Sequence, residues 1–125
     1  FAIHASSSLF KHIDISEYSD ILRAMMVNTS KILKALANDA RLKILHWLKH
    51  PKEHFVSSKC DVQKKGVCVG LIKKKIGLSQ STVSQYLLQL QQADLISMER
   101  EGQWTYCKLN HKTINEFFRD LKIKL

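Results

Sequence analysis

The chain has 125 residues, 45% of them hydrophobic, which is enough for one domain with a core and too few for two. Its 20 Lys and Arg against 11 Asp and Glu leave a net charge of +9, which favours a polyanionic partner, nucleic acid ahead of a membrane surface. No apolar run is long enough to span a membrane, and three cysteines at irregular spacing (Cys60, Cys68, Cys107) speak against a secreted disulfide framework and for the reducing cytoplasm.

The opening FAIHASSSLF has neither the basic leader nor the apolar core of a signal peptide, and it lacks an initiator Met. Segment 1–13 is therefore expected to be a flexible N-terminal segment or added residues, and 14–125 the folded unit. From Asp14 to Leu36 apolar residues recur at helical spacing, with Ser16 placed to cap the helix. This stripe is Met-rich and needs a partner surface, either the chain's own core or a second copy. Ala37-Asn38-Asp39 breaks the pattern, and Asp39 can cap a second helix, ARLKILHWLKH, which Pro51 stops. Lys52 to Gly66 is polar and lysine-rich, a loop with room for a short extended piece at His54 to Ser57.

Val67 to Ile76 reads as a short helix, followed by a tight turn at Gly77. Gly70 inside it costs roughly 1 kcal/mol against Ala and hints at close packing. Then comes LSQSTVSQYLLQLQQA, Leu78 to Ala93. Ser79 is a good N-cap, Thr82 supports the first turn, and Val83, Leu87 and Leu90 face a core. The opposite face carries Gln80, Ser81, Ser84, Gln85 and Gln92, hydrogen-bonding groups with almost no charge. A solvated helix face is usually rich in Lys and Glu, so this face suits base edges in a major groove; the alternative is a merely polar surface helix. Helix, glycine turn and polar-faced second helix make a helix-turn-helix.

LISMER next switches to alternation, Glu101-Gly102 turns the chain, and QWTYCKL returns as a second strand. Trp104, Tyr106 and Lys108 share one strand face and Thr105, Cys107 and Leu109 the other. A basic, aromatic ribbon at this place is a wing. Asn110 caps a last helix with Ile114, Phe117, Phe118 and Leu121 on its apolar side. The fold class is mainly α with a small β-hairpin, a winged helix-turn-helix in the order α-α-α-α-β-β-α.

Three ordered blocks carry a family resemblance: LKALANDARLKIL at Leu33 to Leu45, LSQSTVSQYLLQLQQADLI at Leu78 to Ile96, and EGQWTYCKL at Glu101 to Leu109. They resemble the two-helix corner, recognition helix and wing of the ArsR family of bacterial winged-helix repressors (ArsR/SmtB-like). The resemblance implies a homodimer paired through the first and last helices, which binds an operator palindrome and represses transcription. The stripes at Ile21, Leu22, Met25 and Met26 and at Phe117, Phe118 and Leu121 fit that interface.

The departures concern sensing. The Cys-Val-Cys of metal-sensing members is here Cys68-Val69-Gly70. The last helix lacks the Asp-x-His and His-x-x-Glu of zinc sensors. The second-helix cysteine of sulfur sensors is His46, with no cysteine in the last helix. No known inducer site of the family is complete, no metal site or cofactor is expected, and the inducer is left unnamed. The loop Pro51 to Lys65 is also longer than the family norm.

For DNA, the expected base readers are Gln80, Ser81, Ser84, Gln85 and Gln89 in the 79–92 recognition helix. Gln pairs bidentately with adenine, which suggests an A·T-containing half-site. Phosphate contacts fall to Lys73, Lys74, Lys75 and Thr82, and to Arg100 and Lys108 of the 96–109 wing; of the three consecutive lysines, only one or two can reach a phosphate. Two alternatives stay open: a thiol-redox switch at Cys60 and Cys68, or a metal-responsive one that adds His46, His50 and His54. A third is a winged helix that binds protein instead of DNA. No nucleophile set or phosphate-binding glycine loop occurs, so no enzyme is expected.

Overall fold

The apolar spacing is realised in a computed structural model that describes the backbone of residues 15–56 and 64–125, and their side chains apart from 15–18 and 21–27. In chain order the elements are α1 (Ile15–Leu36), α2 (Asp39–Lys49), α3 (Pro51–His54), β1 (Val67–Cys68), α4 (Val69–Ile76), α5 (Gln80–Gln92), β2 (Ile96–Glu101), β3 (Trp104–Leu109) and α6 (His111–Lys124). The strands form an antiparallel sheet in the order β1-β3-β2. The expectation for segment 1–13 lies outside the described residues. The backbone is already helical at Ile15, so Ser16 sits inside α1 and does not cap it.

One core collects a few residues from nearly every element: Ile32 from α1, Ile44 and Leu48 from α2, Ile72 from α4, Val83, Leu87 and Leu90 from α5, Cys107 from β3 and Phe117 from α6. Ile44, Ile72, Val83, Leu90 and Cys107 have no exposed surface at all. Each such aliphatic side chain contributes roughly 1.5–3 kcal/mol of transfer free energy, so α4, α5 and the hairpin of β2 and β3 are held on one apolar mass. Burial pushes the Cys107 thiol up from 9.0 to about 12, because a thiolate there would have no water.

Sequence and structure part company at several joints. Val67 and Cys68 are a strand and not the first turn of a helix: Val67 pairs with Cys107 and Cys68 with Tyr106. Gly66 makes this docking feasible, for it has φ +95° and a Cβ there would lie 2.6 Å from the Cys107 carbonyl oxygen. Gly70, by contrast, has only Cys68 Sγ at 3.8 Å from such a Cβ, so the close packing expected there is absent. Pro51 does more than stop α2. It occupies the first position of α3, where its missing N–H costs nothing. The turn of the wing is Gly102-Gln103, between the paired Glu101 and Trp104, with Gly102 at φ +62° as the tight two-residue turn demands.

Asn38, not Asp39, caps α2: its side-chain oxygen accepts from the Arg41 N–H at 3.0 Å, and Asp39 takes the first turn, where the helix dipole favours an acid. Arg41 then reaches in two directions. Its Nε and Nη2 donate to the carbonyls of Ala35 (2.6 Å) and Lys34 (3.1 Å) in the last turn of α1, where the Lys34 carbonyl also accepts from the Ala37 N–H at 3.4 Å. Its Nη1 donates to Gln89 Oε1 at 2.7 Å, and the guanidinium lies 5.3 Å from the Tyr86 ring centre. A single side chain thus ties α1 to α5.

Two outcomes follow. Arg41→Ala is expected to lower unfolding free energy by about 2–3 kcal/mol, the range for losing charge-assisted hydrogen bonds, with Arg41→Lys restoring less than half because an ammonium cannot fork; urea unfolding measures both. Cys107 is expected to stay unlabelled by iodoacetamide at pH 8 until the chain is unfolded, read by mass spectrometry. Above pH 9.0 the unfolded chain ionises this thiol and the folded one does not, so stability should fall as pH rises towards about 12.

Candidate nucleic-acid interface

The helix-turn-helix is built by α4, a turn and α5. Gly77 closes α4 in the left-handed conformation, φ +72°, and Ser79 opens α5. Ser79 Oγ accepts from the Thr82 N–H at 3.2 Å and donates to Thr82 Oγ1 at 2.7 Å, so Ser79 and Thr82 form one cap. The Thr82 hydroxyl retains its own proton to donate. No acidic residue stands in the first turn, which leaves the positive end of the helix dipole open to an anion.

At 3.6 residues per turn α5 divides into three stripes. Val83, Leu87 and Leu90 are buried. Ser81, Ser84 and Gln85 are exposed on the other side, and Gln80, in line with the buried stripe, is exposed at the capped end, so the four make an uncharged polar surface there. Between these stripes lie Tyr86 and Gln89, both half-buried and both engaged by Arg41. Gln89 was expected among the base readers; its amide oxygen is instead committed to the guanidinium. Asn38 also donates to the Tyr86 hydroxyl, at 3.5 Å.

The basic residues expected to meet phosphate are dispersed. Lys75, exposed, lies over Trp47 (5.1 Å to the ring centre) and Phe55 (5.7 Å), a cation–π contact that ties α4 to α2 and the end of α3. Lys74 is exposed and Lys73 half-buried. In the wing the register places Arg100 opposite Thr105, on the face that continues to Met98 and Cys107, whereas Lys108 pairs with Ser97 on the other face. Arg100 Nε donates to the Gly102 carbonyl at 3.2 Å and braces the turn. Lys108 lies at the base of the wing, its stem beside Gly66. Glu101 at the tip is ion-paired with Lys65 at 3.0 Å, which reduces the negative charge there.

The residues expected at a dimer interface sort differently. Phe117 is 5% exposed in the chain's own core, and Leu121 packs against that core, so Phe117 is corrected from interface to core. Phe118 is 62% exposed and Ile123 57%. The side chains of Ile21, Leu22, Met25 and Met26 lie outside the described residues. α6 packs along α1, where Lys124 Nζ donates to the buried Thr29 hydroxyl at 2.8 Å.

For sensing, Cys60 lies outside the described residues, Cys68 is half-buried and Cys107 buried. The imidazoles of His50 and His54 lie 5.4 and 5.2 Å from that of His46, edge to face. Among the described residues no group of three or more His, Cys, Asp or Glu is arranged to hold a metal ion. Sequence reasoning missed Arg41 as a functional residue; an arginine in the first turn of a helix that follows a short break was the available signal. It also passed over Leu88, which is 48% exposed, and placed Trp104, 52% exposed, in the wing without giving it a contact.

No protein-family model matches the chain. It is 43% identical over 96 residues to the HTH-type transcriptional regulator YbzH of Bacillus subtilis, an alignment that spans 76% of this chain and 96% of that protein. Among solved structures, an ArsR-like transcriptional regulator from Rhodococcus superposes with a TM-score of 0.60 at 15% identity, over 79% of this chain and 80% of the other. The homodimeric winged helix-turn-helix DNA-binding domain of Mb0332 from Mycobacterium bovis gives 0.58 at 24% identity, over 82% of each. Both likenesses speak to the fold, and the alignment with YbzH to the function class, which is regulation and not catalysis. The chain belongs to the HTH-type transcriptional regulators and has the winged helix-turn-helix fold of ArsR-like regulators.

Proposed function

We propose that the chain is a sequence-specific repressor that binds an operator palindrome as a homodimer. The 79–92 helix enters the major groove and the 96–109 wing lies against the adjoining backbone. The observation that carries this reading is the exposed, uncharged face of Gln80, Ser81, Ser84 and Gln85 at the unobstructed positive end of a capped helix. Such a face exchanges hydrogen bonds with base edges at low desolvation cost, while Lys74, Arg100 and the net charge of +9 supply sequence-independent attraction to phosphate. Gln85 is the foremost reader, and its bidentate amide suits adenine. A protein that reads chromosomal DNA in this way works in the cytoplasm.

Self-association is supported by the exposed Phe118 and Ile123 on α6, beside α1, and by the homodimeric state of the Mb0332 domain of the same fold. Two copies so paired would present their recognition helices about one turn of duplex apart, near 34 Å.

Binding to duplex DNA is expected to weaken steeply with salt, by about 10³-fold or more between 50 and 200 mM. Failure to bind any duplex at low salt would favour a protein-interaction module. Gln85→Ala should lose roughly 1–3 kcal/mol on the operator and almost nothing on random duplex; equal losses on both would remove Gln85 from the reading set. Phe118→Glu, a change at an exposed position, should leave the helical circular-dichroism spectrum unchanged and convert the dimer to monomer in sedimentation experiments. A dimer that survives it places the interface elsewhere.

A further inference from the structure

Leu88 is out of place by polarity. It is 48% exposed, whereas Leu87 and Leu90 on the same helix are 2% and 0% exposed. Helical spacing puts it three residues after Gln85, four after Ser84, seven after Ser81 and four before Gln92. It therefore belongs to neither the buried stripe nor the Arg41 stripe. It stands in the middle of the uncharged polar face, the one aliphatic side chain among amides and hydroxyls.

We infer that Leu88 is an apolar specificity reader that packs on the C5-methyl group of a thymine in the major groove, next to the base pair met by Gln85. This deepens the DNA-binding proposal and rests on it. The chemistry follows from what the groove displays. Thymine alone among the bases presents a methyl group there, while the same position on cytosine lacks it and the adjoining atom is an amino donor. A leucine offers neither donor nor acceptor, so it gains from the methyl and leaves a cytosine amino group without a partner. Leu88 lies about 4.5 Å further along the helix axis than Gln85. Base pairs are spaced at about 3.4 Å, so the two side chains address neighbouring pairs. Adenine read by an amide and thymine read by a methyl contact are both features of A·T pairs, and one short A·T-rich half-site satisfies both.

The experiment uses the full chain and a duplex selected by it from random sequences. Each thymine is replaced singly by deoxyuridine, which removes only the methyl group. At one thymine per half-site the wild-type chain should bind roughly fourfold more weakly, the loss for one buried methyl-sized group, and roughly fifteenfold when both half-sites are changed. Leu88→Ala should be indifferent to that replacement, whereas Leu88→Met and Gln85→Ala should stay sensitive to it. Wild-type binding that ignores every deoxyuridine overturns the inference and leaves the DNA-binding proposal standing. So does a Leu88→Ala chain that keeps full methyl sensitivity, or one whose sedimentation shows a changed oligomeric state, since Leu88 would then face a second copy. If the wild-type chain selects no sequence at all, the DNA-binding proposal fails and this inference with it.

Discussion

Arg41 is the joint on which the arrangement depends. A winged helix reads DNA only if its recognition helix is held at a fixed attitude, yet α5 is amphipathic and its apolar stripe alone would tolerate rotation by part of a turn. Three buried side chains, Val83, Leu87 and Leu90, set which side faces inward but resist sliding only through shape. The guanidinium adds direction. Two of its nitrogens are fixed by carbonyls at the end of α1 and a third holds Gln89, while its face lies against Tyr86. Hydrogen bonds to a charged group are short and strongly oriented, so the azimuth of α5 is set relative to α1 and not merely relative to the core. In a dimer paired along α1 and α6, that same contact would fix the separation of the two reading faces.

This explains why α5 can carry so polar a surface. A helix whose outer face is made of glutamine and serine gains little from intrahelical ion pairs, and it has no acidic or basic residue in its terminal turns to complement the dipole. Its stability comes from the cap made by Ser79 and Thr82, from the core stripe and from Arg41. The C-terminal end is held as well. Asp94, with φ +61°, closes the helix where a glycine is usual: the Leu95 N–H reaches the Leu90 carbonyl and the Asp94 N–H that of Gln91. Asp94 Oδ2 accepts from the Thr113 hydroxyl at the start of α6. Both ends and one side of the helix are secured, which leaves the remaining side free to be chosen for recognition.

The order of the helices other than α3, which stands at Pro51–His54 where a loop with an extended piece from His54 was expected, the capped recognition helix, the inward face of β3 and the capping role of Asn110 were legible in the sequence because each rests on local signals: period, cap and turn residues. What escaped shares a different property. Val67-Cys68 carries an apolar pattern that suits a helix or a strand, and only its pairing with β3, far along the chain, decides between them. Gln89 has the same side chain as Gln85 and lies four residues on; its different role comes from Arg41, 48 residues earlier. Lys75 is one of three adjacent lysines, and nothing local marks it as the one that settles over Trp47 and Phe55. Phe117 and Phe118 are neighbours of equal hydrophobicity, separated only by the angle at which α6 meets the core. Local chemistry chose the elements; partners distant in sequence assigned the side chains.

The same distinction shows in how the elements are joined. Cys68 is at once the last residue of β1 and the residue at the N-cap position of α4, where its side chain makes no capping hydrogen bond, and β1 is hydrogen-bonded to β3 of the wing. The wing and the first helix of the reader are therefore continuous through one peptide segment, and Gly66 permits that segment no side chain on its wing-facing side. Lys75, at the other end of α4, ties the same helix to Trp47 of α2 and to Phe55. Arg41 makes a separate connection, from α1 to the recognition helix. Both halves of the helix-turn-helix are thus anchored outside it, α4 to the wing and α2, and α5 to α1.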